Sequence, residues 1–511
     1  MPWSRGGRAA REPASRMLLG LLGAAVLTCG AAAYNRFPLT YYDTASYLRK
    51  AHVFTHAEGP RGLDVEQYVR TPLPATSPFR NPFFYRPVTY TLFLLPFSFP
   101  ATLYAVPLAQ GLIVAFSVLL ALRAAGLASS ATELVLLFLG LSLFTSLPWY
   151  SGQLMPDLFS AVMVLLLYAL LSGWDRLARW ERIAAWLLLA GAIAAHLSNV
   201  PLYAALAVTA ALGVRLLRGR WPCARRLALS VAGPFALAVS ALAGSNYLFC
   251  GKLVLSESSD LFYLARLVGD GTAQRYLAEA CPAAGYLLCD DRANLPADSD
   301  YFLWSPTGPW SAHQNDPRFL AEAPEIIRGT LRAHGAQELA AAARNTVHQL
   351  GMFGADLDLL RSDSLVRPVI VRFGETTAAA YARSRQVTGG LPLRAVGAVQ
   401  VTVVWLSLAA LLLALPALRR RRDDRVLLFA GVIAAAVVLN ALVFGALSAL
   451  HDRYEARVIW LVPLAAWVAV RALPGRRELD PGPVCASAQP ALRSLATAPT
   501  APTSHAAPTP A

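Results

Sequence analysis

Long apolar runs separated by short polar segments recur along the whole chain. Ten runs predict membrane-spanning helices: 17–34, 102–122, 131–147, 157–172, 182–198, 200–214, 227–247, 396–418, 427–447 and 456–473. A helix of about 20 residues crosses the hydrocarbon core of a bilayer, and spans shorter than about 17 residues are rare. Two runs, 157–172 and 200–214, lie at this lower limit. The pattern predicts an all-α polytopic membrane protein with about ten transmembrane helices.

One further apolar segment, residues 86–100, decides the orientation of the runs that follow it. If this segment does not cross the membrane, the arginine-rich segments all lie on one side: 1–16, 173–182, 215–226, 419–425 and 474–477. Lys and Arg are enriched in cytoplasmic loops. We therefore expect 86–100 to be an interfacial or half-embedded helix on the outer face of the cytoplasmic membrane, with both chain ends in the cytoplasm.

This orientation divides the chain into five parts. They are a basic cytoplasmic N-terminus (1–16), a transmembrane module (17–247) whose first outer loop is 35–101, a mostly helical extracytoplasmic domain (248–395), the C-terminal transmembrane helices (396–473) and a cytoplasmic tail (478–511). Because the tail is rich in Pro, Ala, Thr and Ser, we expect it to be disordered. The first apolar run also fits a cleaved signal peptide, an alternative that leaves the other orientations unchanged.

The composition supports the membrane interpretation. The chain is 56% hydrophobic and 15% charged, whereas soluble proteins have about 45–50% apolar and 25% charged residues. The net charge of +14 comes from short loops between apolar runs, so it indicates orientation, and no nucleic-acid partner is predicted. Cys281 and Cys289 share the 248–395 region, where a disulfide and two free thiols both fit the sequence. The chain has no CxxC pair, and no zinc site is predicted.

Polar residues form four clusters at predicted helix ends on the outer face. They are residues 41–47 with Asp43, residues 150–157 with Asp157, residues 196–199 with His196, and residues 451–457 with Arg453. No Asp, Glu, Lys or Arg lies in the middle of a predicted span, where ion and proton pathways place such residues. Packing of the helices can bring the four ends together, so we expect polar chemistry at the outer end of the bundle.

The two acids also have structural explanations. Thr40 and Asp43 match a capping box, in which the Asp43 side chain reaches back to the Thr40 amide. Asp157 follows Pro156 at the start of a span, where an acid interacts favourably with the helix dipole. Both explanations stay open beside a functional role.

The same holds for the other polar residues. His196 fits an interfacial polar side chain, and the tyrosines fit an aromatic belt at the membrane surface. Arg453 and Arg457 fit anchors of a span end, or partners of Asp452 and Glu455.

Three sequence segments resemble one known family. "RPVTYTLFLLPF" (86–97) resembles the segment before the family's second span, "PWYSGQLMPDLFSAVMVLLL" (148–167) resembles its outer turn with an acid, and "DRYEARVIWLVPLAAW" (452–467) resembles a late motif. With the acid after the first span, these segments are similar to the GT-C superfamily of integral membrane glycosyltransferases. Within this superfamily the chain resembles the bacterial protein-mannosyltransferase-like and aminoarabinose-transferase-like enzymes. The resemblance covers roughly residues 17–214 and the last two spans, whereas residues 245–395 match nothing we can name.

The resemblance implies a reaction and its participants. A sugar passes from a polyprenyl-phosphate donor to a hydroxyl of an envelope lipid, glycan or protein at the outer face, usually with inversion. Asp43 matches the family's first acid and is expected to act as general base. The other residues expected to contact substrates are Asp157, Arg453, Tyr454, His196, Arg86, Tyr42 and Tyr47. Among them Arg453 is the leading candidate to stabilise the departing phosphate, followed by His196 and Arg86.

Two features depart from the family pattern. The first acid is followed by Thr44 where relatives often have an acidic pair, so no metal ligand is predicted and a divalent cation, although possible, has no support. The turn "AHLSNVP" (195–201) lacks the usual Lys or Arg, and His196 would take its place. Two other functions remain open: a flippase or transporter of lipid-linked sugars, which the charge-poor spans disfavour, and a non-catalytic scaffold for envelope assembly.

Overall fold

The apolar runs of the chain fold as helices, as their length and composition predict. The computed structural model describes residues 13–56, 86–99, 102–127, 129–219, 224–355, 359 and 363–473. Within these ranges the regular elements are helical, apart from one isolated parallel bridge between Leu39 and Gln153. The all-α class is therefore confirmed for the described residues. The predicted tail and most of the basic N-terminus lie outside them.

The α-helices fall into three groups along the chain. The first group is α1 (Ala14–Thr28), α2 (Gly30–Asn35), α3 (Thr44–His56), α4 (Val88–Leu94), α5 (Ala105–Ala124), α6 (Ala131–Phe144), α7 (Leu147–Ser151), α8 (Leu158–Gly173), α9 (Arg179–Ala195) and α10 (Asn199–Arg218). The second group is α11 (Ala224–Leu227), α12 (Gly233–Cys250), α13 (Ser259–Gly269), α14 (Thr272–Ala280), α15 (Ser299–Trp304), α16 (Pro309–His313) and α17 (Pro317–Gly351). The third group is α18 (Asp363–Ile370), α19 (Glu375–Ala382), α20 (Arg385–Thr388), α21 (Leu393–Arg420), α22 (Asp424–Leu447), α23 (Asp452–Ile459) and α24 (Leu461–Ala472).

Five helical segments among the described residues are long and apolar enough to cross a membrane. They are Thr102–Ala124, Asn199–Arg218, Ala224–Phe249, Leu393–Arg420 and Asp424–Leu447. The remaining predicted spans coincide with shorter or divided helices. The first run is divided at Cys29 into α1 and α2, and the last is divided at Trp460 into α23 and α24. The total of ten spans therefore stays a prediction.

The segment at 86–100 forms a short helix. α4 has seven residues and continues into the 3₁₀ turn Leu95–Phe97. At about 1.5 Å per residue this helix reaches roughly half of the ~30 Å hydrocarbon core. Its length agrees with the expectation that the segment does not cross a membrane.

Residues 252–355, here called the insertion, contain a small core of their own. Apolar side chains of α13, α14, α15 and the first half of α17 pack together there, including Leu264, Phe302 and Phe319. Cys281 and Cys289 are joined by a disulfide at the edge of this core. α17 leaves helical geometry at His334, and its second half packs against α22. The long helix α17 is therefore a main contact between the insertion and the bundle.

The residues that follow the insertion pack with the bundle. Val366, Phe373 and Tyr381 belong to the same buried apolar cluster as the membrane-type helices. α18 contacts α3, which lies in the predicted first outer loop. The part of the 248–395 region after residue 355 thus helps to hold the segment that carries Asp43.

The contact between α17 and α22 depends on a glycine. A Cβ on Gly445 would lie 2.6 Å from the backbone nitrogen of Thr346 on α17, whereas a Cβ on Gly431, also on α22, would meet nothing within 4 Å. We expect Gly445→Ala to destabilise the protein by about 1–3 kcal/mol, because a backbone must shift. Gly431→Ala is the matched control and is expected to be neutral or slightly stabilising. Thermal unfolding in detergent checks this, and equal melting temperatures for the two variants would contradict it.

Candidate active site

Five charged side chains from distant parts of the chain meet at one end of the bundle. Asp43 pairs with Arg86 at 2.7 Å, and Arg453 lies 3.8 Å from both Asp43 and Asp157. Arg457 lies 3.7 Å from Asp157. Of the four predicted polar clusters, three therefore supply charged groups to one site.

The parallel bridge explains why the two acids meet. The amide of Leu39 donates to the carbonyl of Gly152, and the amide of Leu154 donates to the carbonyl of Leu39, both at 2.8 Å. The hydroxyl of Thr44 also donates to the carbonyl of Leu154. The chain just before Asp43 is therefore pinned to the chain just before Asp157.

The Asp43 carboxylate points to arginines, and the capping box is absent. Its Oδ1 accepts a hydrogen bond from Arg86 Nη2 at 2.7 Å. The Thr40 amide donates to Gln386 Oε1 at 3.0 Å, so the partner that the capping box requires is already occupied. The helix that follows begins at Thr44, whose hydroxyl accepts from the amide of Tyr41. The capping-box interpretation of Thr40 and Asp43 is therefore wrong.

Electrostatics keep Asp43 ionised. Burial alone would raise the pKa of this carboxyl, but the charges of Arg86 and Arg453, together with the hydrogen bond from Arg86, outweigh burial. The pKa of Asp43 is consequently lowered from its ordinary value. The side chain retains 16% exposure, so the carboxylate is not completely enclosed.

Asp157 is more deeply buried than Asp43, and its contacts with arginines are longer. Its side chain is 3% exposed, and neither carboxylate oxygen accepts a hydrogen bond from the described residues. Arg453 Nη2 and Arg457 Nη1 lie 3.8 and 3.7 Å from Asp157 Oδ1. Both distances are too long for hydrogen bonds. A recess is lined by Asp157 together with Tyr41, Tyr150, Gln153 and Arg453. A buried carboxylate that accepts no hydrogen bond is rare in proteins, and a functional role is one explanation for it.

Arg453 is held by stacking. Its guanidinium lies over the Tyr41 ring at 3.9 Å from the centroid and 5.0 Å from that of Tyr454. Tyr454 in turn stacks on Phe444. The Nε of Arg453 is buried without a hydrogen-bond partner in the described part of the chain. Arg453 thus keeps donor capacity for a further acceptor.

Arg457 is a site residue that the sequence interpretation placed only at a span edge. Its guanidinium is fully buried, and Nη2 donates to Ser198 Oγ at 3.0 Å and to Asn440 Oδ1 at 2.9 Å. Asn440 also donates to Glu455 Oε2 at 2.9 Å. The sequence feature that could have indicated Arg457 is its spacing of four residues from Arg453, because residues i and i+4 share a helix face.

The remaining predicted substrate residues lie around this centre. His196 Nδ1 contacts Ser198 Oγ at 2.8 Å, and Ser198 Oγ in turn accepts from Arg457. Tyr42 packs edge-on against Tyr41. Tyr47 is buried edge-on against Tyr90, an arrangement typical of a packing residue.

Searches of family models, curated proteins and solved structures each return no match for this chain. Across the described ranges, no group of three or more His, Cys, Asp or Glu side chains is placed to hold a metal ion. The functional interpretation therefore rests on the geometry of the site and on the motifs quoted above.

Proposed function

We propose that this protein is a membrane glycosyltransferase that moves a sugar from a polyprenyl-phosphate donor to a hydroxyl of a lipid, glycan or protein. One observation carries the proposal. Two carboxylates and three arginines from distant segments converge at one end of an apolar helical bundle. Such a set combines a proton acceptor with cationic donors, which are the two requirements of glycosyl transfer from a phosphate.

Asp43 is assigned the role of general base. Its Oδ1 is bound to Arg86, which leaves Oδ2 for the acceptor hydroxyl. The hydroxyl oxygen bonds to the anomeric carbon, its proton passes to Asp43, and the phosphate leaves with the electron pair of the broken bond. The configuration at the anomeric carbon is inverted. A lowered pKa is compatible with this role, because the hydroxyl becomes acidic as its oxygen bonds to carbon.

The arginines are assigned to the phosphate. Arg453 Nε and Arg457 Nε and Nη1 are buried without hydrogen-bond partners among the described residues. Phosphate oxygens accept several charge-assisted hydrogen bonds and suit guanidinium donors. Asp157 lies between the two guanidinium groups, and its negative charge holds both of them at the site. It takes the positioning role assigned to the second acid.

The proposal places the site at the outer face of the cytoplasmic membrane. About ten spans would cross the bilayer, with both termini in the cytoplasm. The disulfide between Cys281 and Cys289 supports an outer position for the insertion, because disulfides persist in oxidising compartments. The arginine-rich loops at the other end of the bundle support the same orientation.

The first test is mass spectrometry of envelope lipids, glycans and proteins from cells with and without the gene. We expect one sugar substituent to disappear in the deletion strain and to return with the wild-type gene. The missing substituent would also identify the sugar and the acceptor. An unchanged profile, or movement of a lipid-linked sugar across vesicle membranes without transfer, would contradict the proposal.

A pH profile tests the pairing of Arg86 with Asp43. Burial raises the pKa of Asp43, and without Arg86 this effect is opposed mainly by the charge of Arg453. The pKa of Asp43 should therefore rise. We expect Arg86→Met to move the acidic limb of kcat/KM to higher pH by about one unit or more. Arg471→Met, which removes an arginine of the last turn of α24 that pairs with Glu133, is the control and should leave the limb unchanged. An unshifted limb in Arg86→Met would exclude this coupling.

A further inference from the structure

Helix α23, which carries Arg453 and Arg457, is held at its start by the insertion. Gln349 is fully buried at the end of α17. Its Nε2 donates to the carbonyl of His451 at 2.8 Å, and its Oε1 accepts from the amide of His451 at 3.1 Å. One side-chain amide thus satisfies both backbone groups of the residue that precedes α23.

Two further contacts reach the same point. The amide of Gly354 donates to Asp452 Oδ1 at 3.0 Å, and His451 Nε2 contacts Asp300 Oδ2 at 2.8 Å. These four contacts come from three residues of the insertion and end on the two residues just before Arg453. The insertion therefore fixes the backbone from which Arg453 projects.

The bundle holds the opposite side of α23. The Tyr150 hydroxyl donates to the carbonyl of Arg453 at 2.7 Å, and Ser146 Oγ donates to the carbonyl of Ala456 at 2.6 Å. The Arg453 guanidinium itself makes no hydrogen bond within the described residues and is held by stacking on Tyr41. Its position consequently depends on where its own backbone is placed.

We infer that Gln349 is a positioning residue for Arg453, and that the insertion is a working part of the active site. This inference rests on the proposed function. Loss of the amide would remove both backbone hydrogen bonds between His451 and α17 and allow the first turn of α23 to move. A displacement of about 1 Å at a reacting group can reduce the rate about 100-fold.

The test compares Gln349→Met with Gln337→Met. Gln337 lies on the same helix, where it accepts a hydrogen bond from Arg275 on an exposed face. We expect Gln349→Met to lower kcat for sugar transfer by about 10–100-fold, with KM for the polyprenyl-phosphate sugar changed by less than about threefold. Gln337→Met should match the wild type. A kcat loss no larger than the loss of folded protein, measured by thermal unfolding, would overturn the inference.

A conservative replacement provides a second readout. A protonated glutamate offers one donor and one acceptor, which are the two functions that the Gln349 amide uses toward His451. We expect kcat of Gln349→Glu, relative to the wild type at each pH, to approach the wild-type value as the pH falls. A ratio that stays at the level of Gln349→Met at every pH would overturn the inference.

Amide hydrogen exchange separates this inference from the proposed function. Exchange over residues 451–457 should be faster in Gln349→Met than in Gln337→Met, whether or not the protein transfers sugar. Equal exchange in the two variants would overturn the positioning role. If the wild type transfers no sugar, the proposed function fails and the exchange result alone decides the role of Gln349.

Discussion

Asp43→Asn is expected to reduce sugar transfer by about 10²–10⁴-fold, the range that general-base catalysis contributes. An asparagine has the shape of the aspartate and keeps an acceptor for Arg86, but it cannot take the proton of the acceptor hydroxyl. The hydrogen bond that Arg86 donates at 2.7 Å should therefore survive, although the negative charge that it meets in the wild type is lost. The measurement is transfer from a polyprenyl-phosphate sugar in reconstituted vesicles, at matched amounts of folded protein.

Asp175→Asn provides the control for this variant. Asp175 forms a half-exposed ion pair with Arg226, away from the site, and its loss should leave transfer within about twofold, because surface pairs contribute little. Full activity of Asp43→Asn would remove Asp43 from the mechanism. Loss of activity accompanied by loss of folded protein would assign Asp43 a structural role.

Arg457→Met is expected to have the largest effect on stability, about 3–5 kcal/mol. The variant leaves Asp157 buried with one arginine fewer, and removing one partner of a buried charge pair is costly. It also leaves Asn440 and Ser198 without their donor. We expect a clear fall in the denaturation midpoint, measured in detergent, together with loss of transfer activity.

A surface arginine gives the matched comparison. Arg471 pairs with Glu133 at 2.7 Å and is 47% exposed, so Arg471→Met should cost no more than about 1 kcal/mol. The double variant Asp157→Asn/Arg457→Met should recover part of the stability, because no uncompensated carboxylate remains. Equal destabilisation by the two single arginine variants would show that the buried pair is not needed.

The sequence predicted the helices better than their contacts. Apolar runs identify helices because a long continuous hydrophobic segment has few other stable structures. The expectation that Asp43, Asp157 and Arg453 lie near one another is also met. That expectation needed only helix ends at one side of the bundle, which the distribution of arginines indicated.

The partners of individual groups could not be read from the sequence. Thr40 and Asp43 satisfy a local rule for a capping box, but Gln386, more than 300 residues away, takes the Thr40 amide. Arg457 has the sequence context of an interfacial anchor, and only the packing of α22 beside α23 buries it against Asn440. Local patterns carry little information about such distant pairs, because tertiary contacts override local preference.

The bridge between Leu39 and Gln153 has a consequence for spacing. Asp43 is the fourth residue after Leu39, and Asp157 is the fourth residue after Gln153. The bridge is therefore a common starting point, from which one step of four residues leads to Asp43 and another leads to Asp157. For the distance between the two carboxylates, the number of residues in each step matters more than their identity. An insertion of one residue in either step would separate the carboxylates, whereas substitutions there would leave them together. A distant relative that keeps this site should keep both steps of four, even where the residues within them have changed.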